Sequence, residues 1–93
     1  MNIAFVHTVF PGGGAERVTK DIASGILKSS PEGYSFFVYT PSVRKDILAG
    51  EYLGCFKGIY EYSYKDEAAE IEALVVRDKI DVIVQIARRL KGI

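Results

Sequence analysis

Apolar residues along this chain fall into two kinds of run: short unbroken stretches that read as covered strands, and stretches spaced three and four apart that read as helices. Ile3-Ala4-Phe5-Val6, ended by His7 and Thr8, is too short for a helix. Its unbroken apolarity suits a central parallel strand buried on both faces. From Ala15 to about Lys28, Val18, Ile22, Gly25 and Ile26 fall at i, i+4, i+7 and i+8, with Lys20, Asp21 and Ser24 turned away. That spacing predicts a helix burying the Val18–Ile22–Gly25–Ile26 stripe. Ser29-Ser30-Pro31-Glu32-Gly33 is a turn, because proline cannot continue the helix. Tyr34-Ser35-Phe36-Phe37-Val38-Tyr39-Thr40, aromatic and β-branched and closed by Pro41, is a second strand. Strand, helix and strand in this order call for a right-handed parallel crossover.

Ser42 to Ala49 predicts a short helix, with Ser42 as N-cap, Val43, Ile47 and Leu48 inward, and Gly50 as the stop. Between Phe56 and Tyr64 the residues alternate: Phe56, Gly58, Tyr60, Tyr62 and Tyr64 share one parity, and Lys57, Ile59, Glu61 and Ser63 the other. An edge strand with one buried face fits; the tyrosines would alternatively serve as a stacking platform for sugar or base rings. Lys65 to Lys79 is the second clear helix, with Ala68, Ile71, Leu74 and Val75 on one face, Asp66 and Glu67 in the first turn and Arg77 and Lys79 at the other end. Ile80 to Ala87 is a long apolar run typical of a parallel strand, and Arg88 to Ile93 are too few to cross over and build another. The predicted fold is α/β: a Rossmann-like half of a doubly wound sheet, about four parallel strands with flanking helices. In the strand order 3-2-1-4 the last strand becomes an open apolar edge, which invites self-association.

Composition narrows the picture. With 93 residues the chain is one compact domain at most, and 48% apolar with 26% charged residues places it among globular rather than disordered sequences. Twelve basic residues balance twelve acidic ones, so no overall field attracts nucleic acid or an anionic membrane. One cysteine and one histidine give neither an internal disulfide nor a metal-ligand cluster, so no metal is expected and a reducing, cytoplasmic setting is the default. No signal peptide or membrane span is legible.

The unusual chemistry lies in Val6-His7-Thr8-Val9-Phe10-Pro11-Gly12-Gly13-Gly14-Ala15-Glu16-Arg17-Val18, where a strand passes through three glycines into a helix. Glycines let a backbone approach a ligand closely, and a helix start aims unpaired N–H groups at it, the physics of an anion seat. The glycines alone fit a mobile turn equally well. Glu16 suits the positive end of the helix dipole. Arg17 suits a phosphate or carboxylate, or a local surface pair. His7 is either a substrate contact or base, or a strand-end residue. A nicotinamide-binding loop is disfavoured, because Arg17 stands where the third glycine belongs and the second strand ends in Tyr39-Thr40-Pro41 without an acidic residue. A P-loop is excluded by the missing Gly-Lys-Ser/Thr.

Gly-Gly-Gly-Ala-Glu-Arg-Val opening a helix behind an N-terminal strand resembles the N-terminal domain of family-4 glycosyltransferases of the GT-B fold, which transfer a sugar from a nucleotide-sugar with retention of configuration. The resemblance implies that the glycine loop, Gly12, Gly13 and Gly14, approaches the donor diphosphate and the acceptor, with Glu16 and Arg17 in the helix start that packs beneath it. It implies no catalytic residue in this chain, and no cofactor beyond the nucleotide-sugar substrate. The family's paired-glutamate motif sits in a C-terminal domain, so residues 1–93 read as the acceptor-side part of a longer two-domain enzyme that transfers a hexose to a glycan or lipid-linked acceptor. These residues are expected to be inactive alone. The whole enzyme would be cytoplasmic or peripheral at the inner face of the membrane. Family members often carry a histidine just beyond the fourth strand, and Val84-Gln85-Ile86-Ala87-Arg88-Arg89 has none. The alternative is a free-standing α/β module that binds a phosphorylated ligand or forms a homo-oligomer through its last strand.

Overall fold

The computed structural model describes residues 1–7, 10, 15–30, 32–44 and 54–85, and only the backbone of Ala15, Glu16 and Tyr64. The chain is α/β. Strands β1 (Asn2–Val6), β2 (Ser35–Thr40), β3 (Gly58–Glu61) and β4 (Val82–Gln85) form one all-parallel sheet in the order β3-β2-β1-β4. Helix α1 (Ala15–Ser29) joins β1 to β2, and a 3-10 turn (Tyr64–Asp66) leads into α2 (Glu67–Arg77) between β3 and β4. Register is set by β1, whose Ala4 faces Phe37 of β2 and Ile83 of β4.

Alternation along the strands divides the core in two. Phe5, Phe36 and Val38 pack with Ala23, Ile26 and Leu27 of α1, while Ala4, Val6, Phe37 and Tyr39 pack with Ile71, Leu74 and Val75 of α2. The two helices therefore cover opposite faces, and the sheet grows in one direction from β1 to β3 and then restarts on the other side of β1. That reversal makes the gap between β1 and β4 a topological switch point, where open α/β sheets form a crevice at the carboxyl ends of the strands.

Helix α1 is rotated relative to its hydrophobic periodicity. Its buried residues are Thr19 and Ala23, whereas Val18 and Ile22 are 54% and 43% exposed and Gly25 is exposed as well. The reason is volume. The sheet already presents Phe5 and Phe36, ring centroids 5.8 Å apart, with Val38 beside them, so the helix approaches closely only through small side chains. A pattern of hydrophobicity carries no information about that complementarity.

Strand β3 lies at the sheet edge, as its alternation suggests, but both of its faces are used. Ile59 joins the α1-side core and Tyr60 the α2-side core, and Phe56, outside the strand, falls on the α1 side despite sharing the parity of Tyr60. The expected helix over Ser42–Ala49 does not begin at Ser42. Val43 instead makes a parallel bridge with Phe10, because the Ser42 carbonyl accepts from the Phe10 N–H at 2.9 Å and the Arg44 N–H donates to the Phe10 carbonyl at 2.8 Å. Ile47, Leu48, Ala49 and Gly50 lie outside the described residues, as do Ile86 and Ala87 of the predicted last strand.

Helix α2 ends in a Schellman turn. Ile80 N–H donates to the Val75 carbonyl at 3.0 Å and Lys79 N–H to that of Val76 at 3.3 Å, with Lys79 at φ 53°. Asn2 stitches β1 to this turn: its side-chain amide donates to the carbonyls of Asp78 and Lys79, and its backbone N–H donates to the Asp81 carboxylate.

Candidate functional site

The carboxyl ends of β1, β2 and β3 are laced together sideways. His7 continues the β1 ladder, its N–H donating to the Tyr39 carbonyl at 3.0 Å. Beyond β2 the Thr40 hydroxyl caps the turn, accepting from Ser42 N–H at 3.3 Å, and Val43 N–H donates to the Glu61 carboxylate at the end of β3 at 2.9 Å. Phe10 is wholly buried and sets its ring edge against Phe56, with centroids 5.7 Å apart. This rim is where the connection from β1 to α1 leaves the sheet.

The candidate residues separate here. Gly12, Gly13 and Gly14 lie in that connection and outside the described residues. Glu16 and Arg17 are in the first turn of α1, and the Arg17 side chain is exposed. His7 is only 1% exposed. Its Nε2 lies 2.9 Å from Thr19 Oγ1, a buried hydrogen bond whose direction follows the ring tautomer, and its ring meets Phe10 edge-on at 4.9 Å. Thr19 and Phe10 are the residues that sequence reasoning missed. A threonine one position off an apolar stripe carries no signal, since only the fold brings it to a histidine twelve residues earlier.

Of the tyrosines predicted as a platform, Tyr60 and Tyr62 are engaged within the fold, and the Tyr64 side chain lies outside what the structure describes. Tyr60 lies back across Gly58, where a Cβ would collide with the ring, and the Arg77 guanidinium sits 4.1 Å over its face. Tyr62 is buried in the α2-side core. Below it, Tyr39 donates its hydroxyl to Asp78 Oδ2 at 2.6 Å, and Arg77 grips the same carboxylate through Nε and Nη2. Burial, then the Asp78 hydrogen bond and charge, push the Tyr39 phenol far above its ordinary range. For Asp78 burial works upward, but the hydrogen bonds from Arg77 and Tyr39, with the charges of Arg77 and Lys57, outweigh it and hold the carboxyl below its usual value.

A shallow depression of about 200 Å³ lies between β3 and α2, lined by Glu61, Tyr62, Glu70, Ala73 and Leu74. Glu70 Oε2 is shielded there without a hydrogen bond. Among the described residues no group of three His, Cys, Asp or Glu could hold a metal ion, and no helix is long and apolar enough to cross a membrane.

Among the described residues, fold and rim together define an α/β half-domain, a four-stranded parallel sheet with α1 on one face, α2 on the other and its switch point beside the exit of β1. No protein family, curated protein or solved structure matches the chain.

Proposed function

We propose that this chain is the N-terminal, acceptor-side domain of a retaining, nucleotide-sugar-dependent glycosyltransferase of the GT-B type, which transfers a hexose to a glycan or lipid-linked acceptor when joined to a donor-binding domain. The observation that carries the reading is the conjunction of sequence and topology: Gly-Gly-Gly-Ala-Glu-Arg-Val runs from the connection behind the central strand into the first turn of α1, beside the switch point of a doubly wound sheet. There the backbone N–H groups of the α1 start and the positive end of its dipole suit a diphosphate. Arg17, exposed on the same turn, suits a phosphate or a carboxylate of the acceptor. Water exclusion and the sugar itself belong to the partner domain, so residues 1–93 bind without turning over.

A second reading, a module that self-associates through β4, draws on the exposure of Val82 and Ile83 on opposite faces of that edge strand. One experiment addresses both. In ¹⁵N-labelled chain titrated with inorganic pyrophosphate, UDP or uridine, the first two shift the amides of Gly12 to Glu16 and uridine does not. Shifts confined to distant residues, or equal for uridine, overturn the phosphate seat. Broadening of β4 amides with protein concentration alone favours the module.

A further inference from the structure

Both flanks of the glycine stretch converge on one buried imidazole. Upstream, Phe10 lies edge-on to His7 and is held by two backbone hydrogen bonds to the segment beyond β2. Downstream, Thr19 of α1 is wholly buried, with Oγ1 2.9 Å from His7 Nε2. Only residues 11–14 separate Phe10 from the first residue of α1. We propose that His7 and Thr19 are positioning residues: the imidazole is a post that fixes the exit of β1 against the first turns of α1, and so presets the span that the three glycines must bridge.

The inference rests for its purpose on the phosphate-seat reading, but the post itself does not. Glycine has more backbone freedom to lose than any other residue, so three in succession make a seat only if their ends are already fixed. Preorganised ends reduce the ordering that a ligand must otherwise impose. His7, buried and edge-on to Phe10, thereby acts through the backbone it holds rather than by touching substrate.

The test compares Thr19→Val, which keeps the shape and removes the hydroxyl, with Thr19→Ser, which keeps the hydroxyl. In ligand-free protein Thr19→Val moves the His7 ring nitrogen resonances and the amides of Gly12, Gly13 and Gly14, and Thr19→Ser leaves both near wild type. Pyrophosphate binding weakens about three- to tenfold in Thr19→Val, the range expected for one buried hydrogen bond, and returns in Thr19→Ser. If Thr19→Val does not fold, Phe10→Leu loosens the other flank and is read through the same glycine amides. Unmoved glycine amides in a folded Thr19→Val or Phe10→Leu variant overturn the post. Absence of any pyrophosphate response in the wild type overturns the phosphate seat instead, and the ligand-free comparison still decides the post.

Discussion

Replacing Tyr39 by phenylalanine isolates the polar network beneath α2. The Tyr39 hydroxyl donates to Asp78 Oδ2 at 2.6 Å, and the Asp78 side chain is only 10% exposed. Asp78 caps the carboxyl end of α2, where the helix dipole disfavours a negative charge, so its partners matter more than usual. A hydrogen bond to a charged group contributes about 1.5–3 kcal/mol. Water takes over only part of it at so shielded a site, so Tyr39→Phe is expected to cost about 2 kcal/mol at pH 7. For a domain of this size that lowers the melting temperature by roughly 8–16 °C. The pH dependence follows from the depressed Asp78 pKa. Its contribution is complete above the unfolded carboxyl value near pH 4 and is lost as pH falls through the lower folded value. The Tyr39 pKa is raised, so its contribution is complete below about pH 10 and is lost only in stronger alkali. Urea unfolding of wild type and Tyr39→Phe from pH 7 to pH 3 should show a gap that narrows below about pH 4. A gap under about 0.5 kcal/mol at neutral pH, or one that persists undiminished in acid, would refute the account.

Two further substitutions test the backbone and the rotated helix. Lys79 occupies the left-handed position of the Schellman turn, where a side chain is strained, so Lys79→Gly should raise stability by about 0.5–1 kcal/mol in thermal melts; a loss would show that its side chain matters more than its φ. Ile22, exposed on α1, should tolerate alanine at a cost under about 1 kcal/mol, whereas Ile71, 1% exposed on α2, should cost about 2–5 kcal/mol; equal costs would mean that α1 buries its hydrophobic stripe after all.

The α/β class, four parallel strands, the edge position of β3 and the order β3-β2-β1-β4 were legible in the sequence. Continuous apolar runs, helical spacing and turn residues are local, and handedness and packing rules leave few ways to assemble them. The glycine stretch was legible for the same reason, since its composition shows without any partner. Tertiary structure alone decided which face of α1 is buried, that Val43 bridges Phe10, and that Thr19 meets His7. Each depends on the volume or reach of residues far away in the chain: Phe5 and Phe36 filling the space that Val18 and Ile22 would have needed, and a buried ring nitrogen requiring a hydroxyl twelve residues later. Periodicity reports how apolar a position is, and only the assembled sheet reports how much room it has.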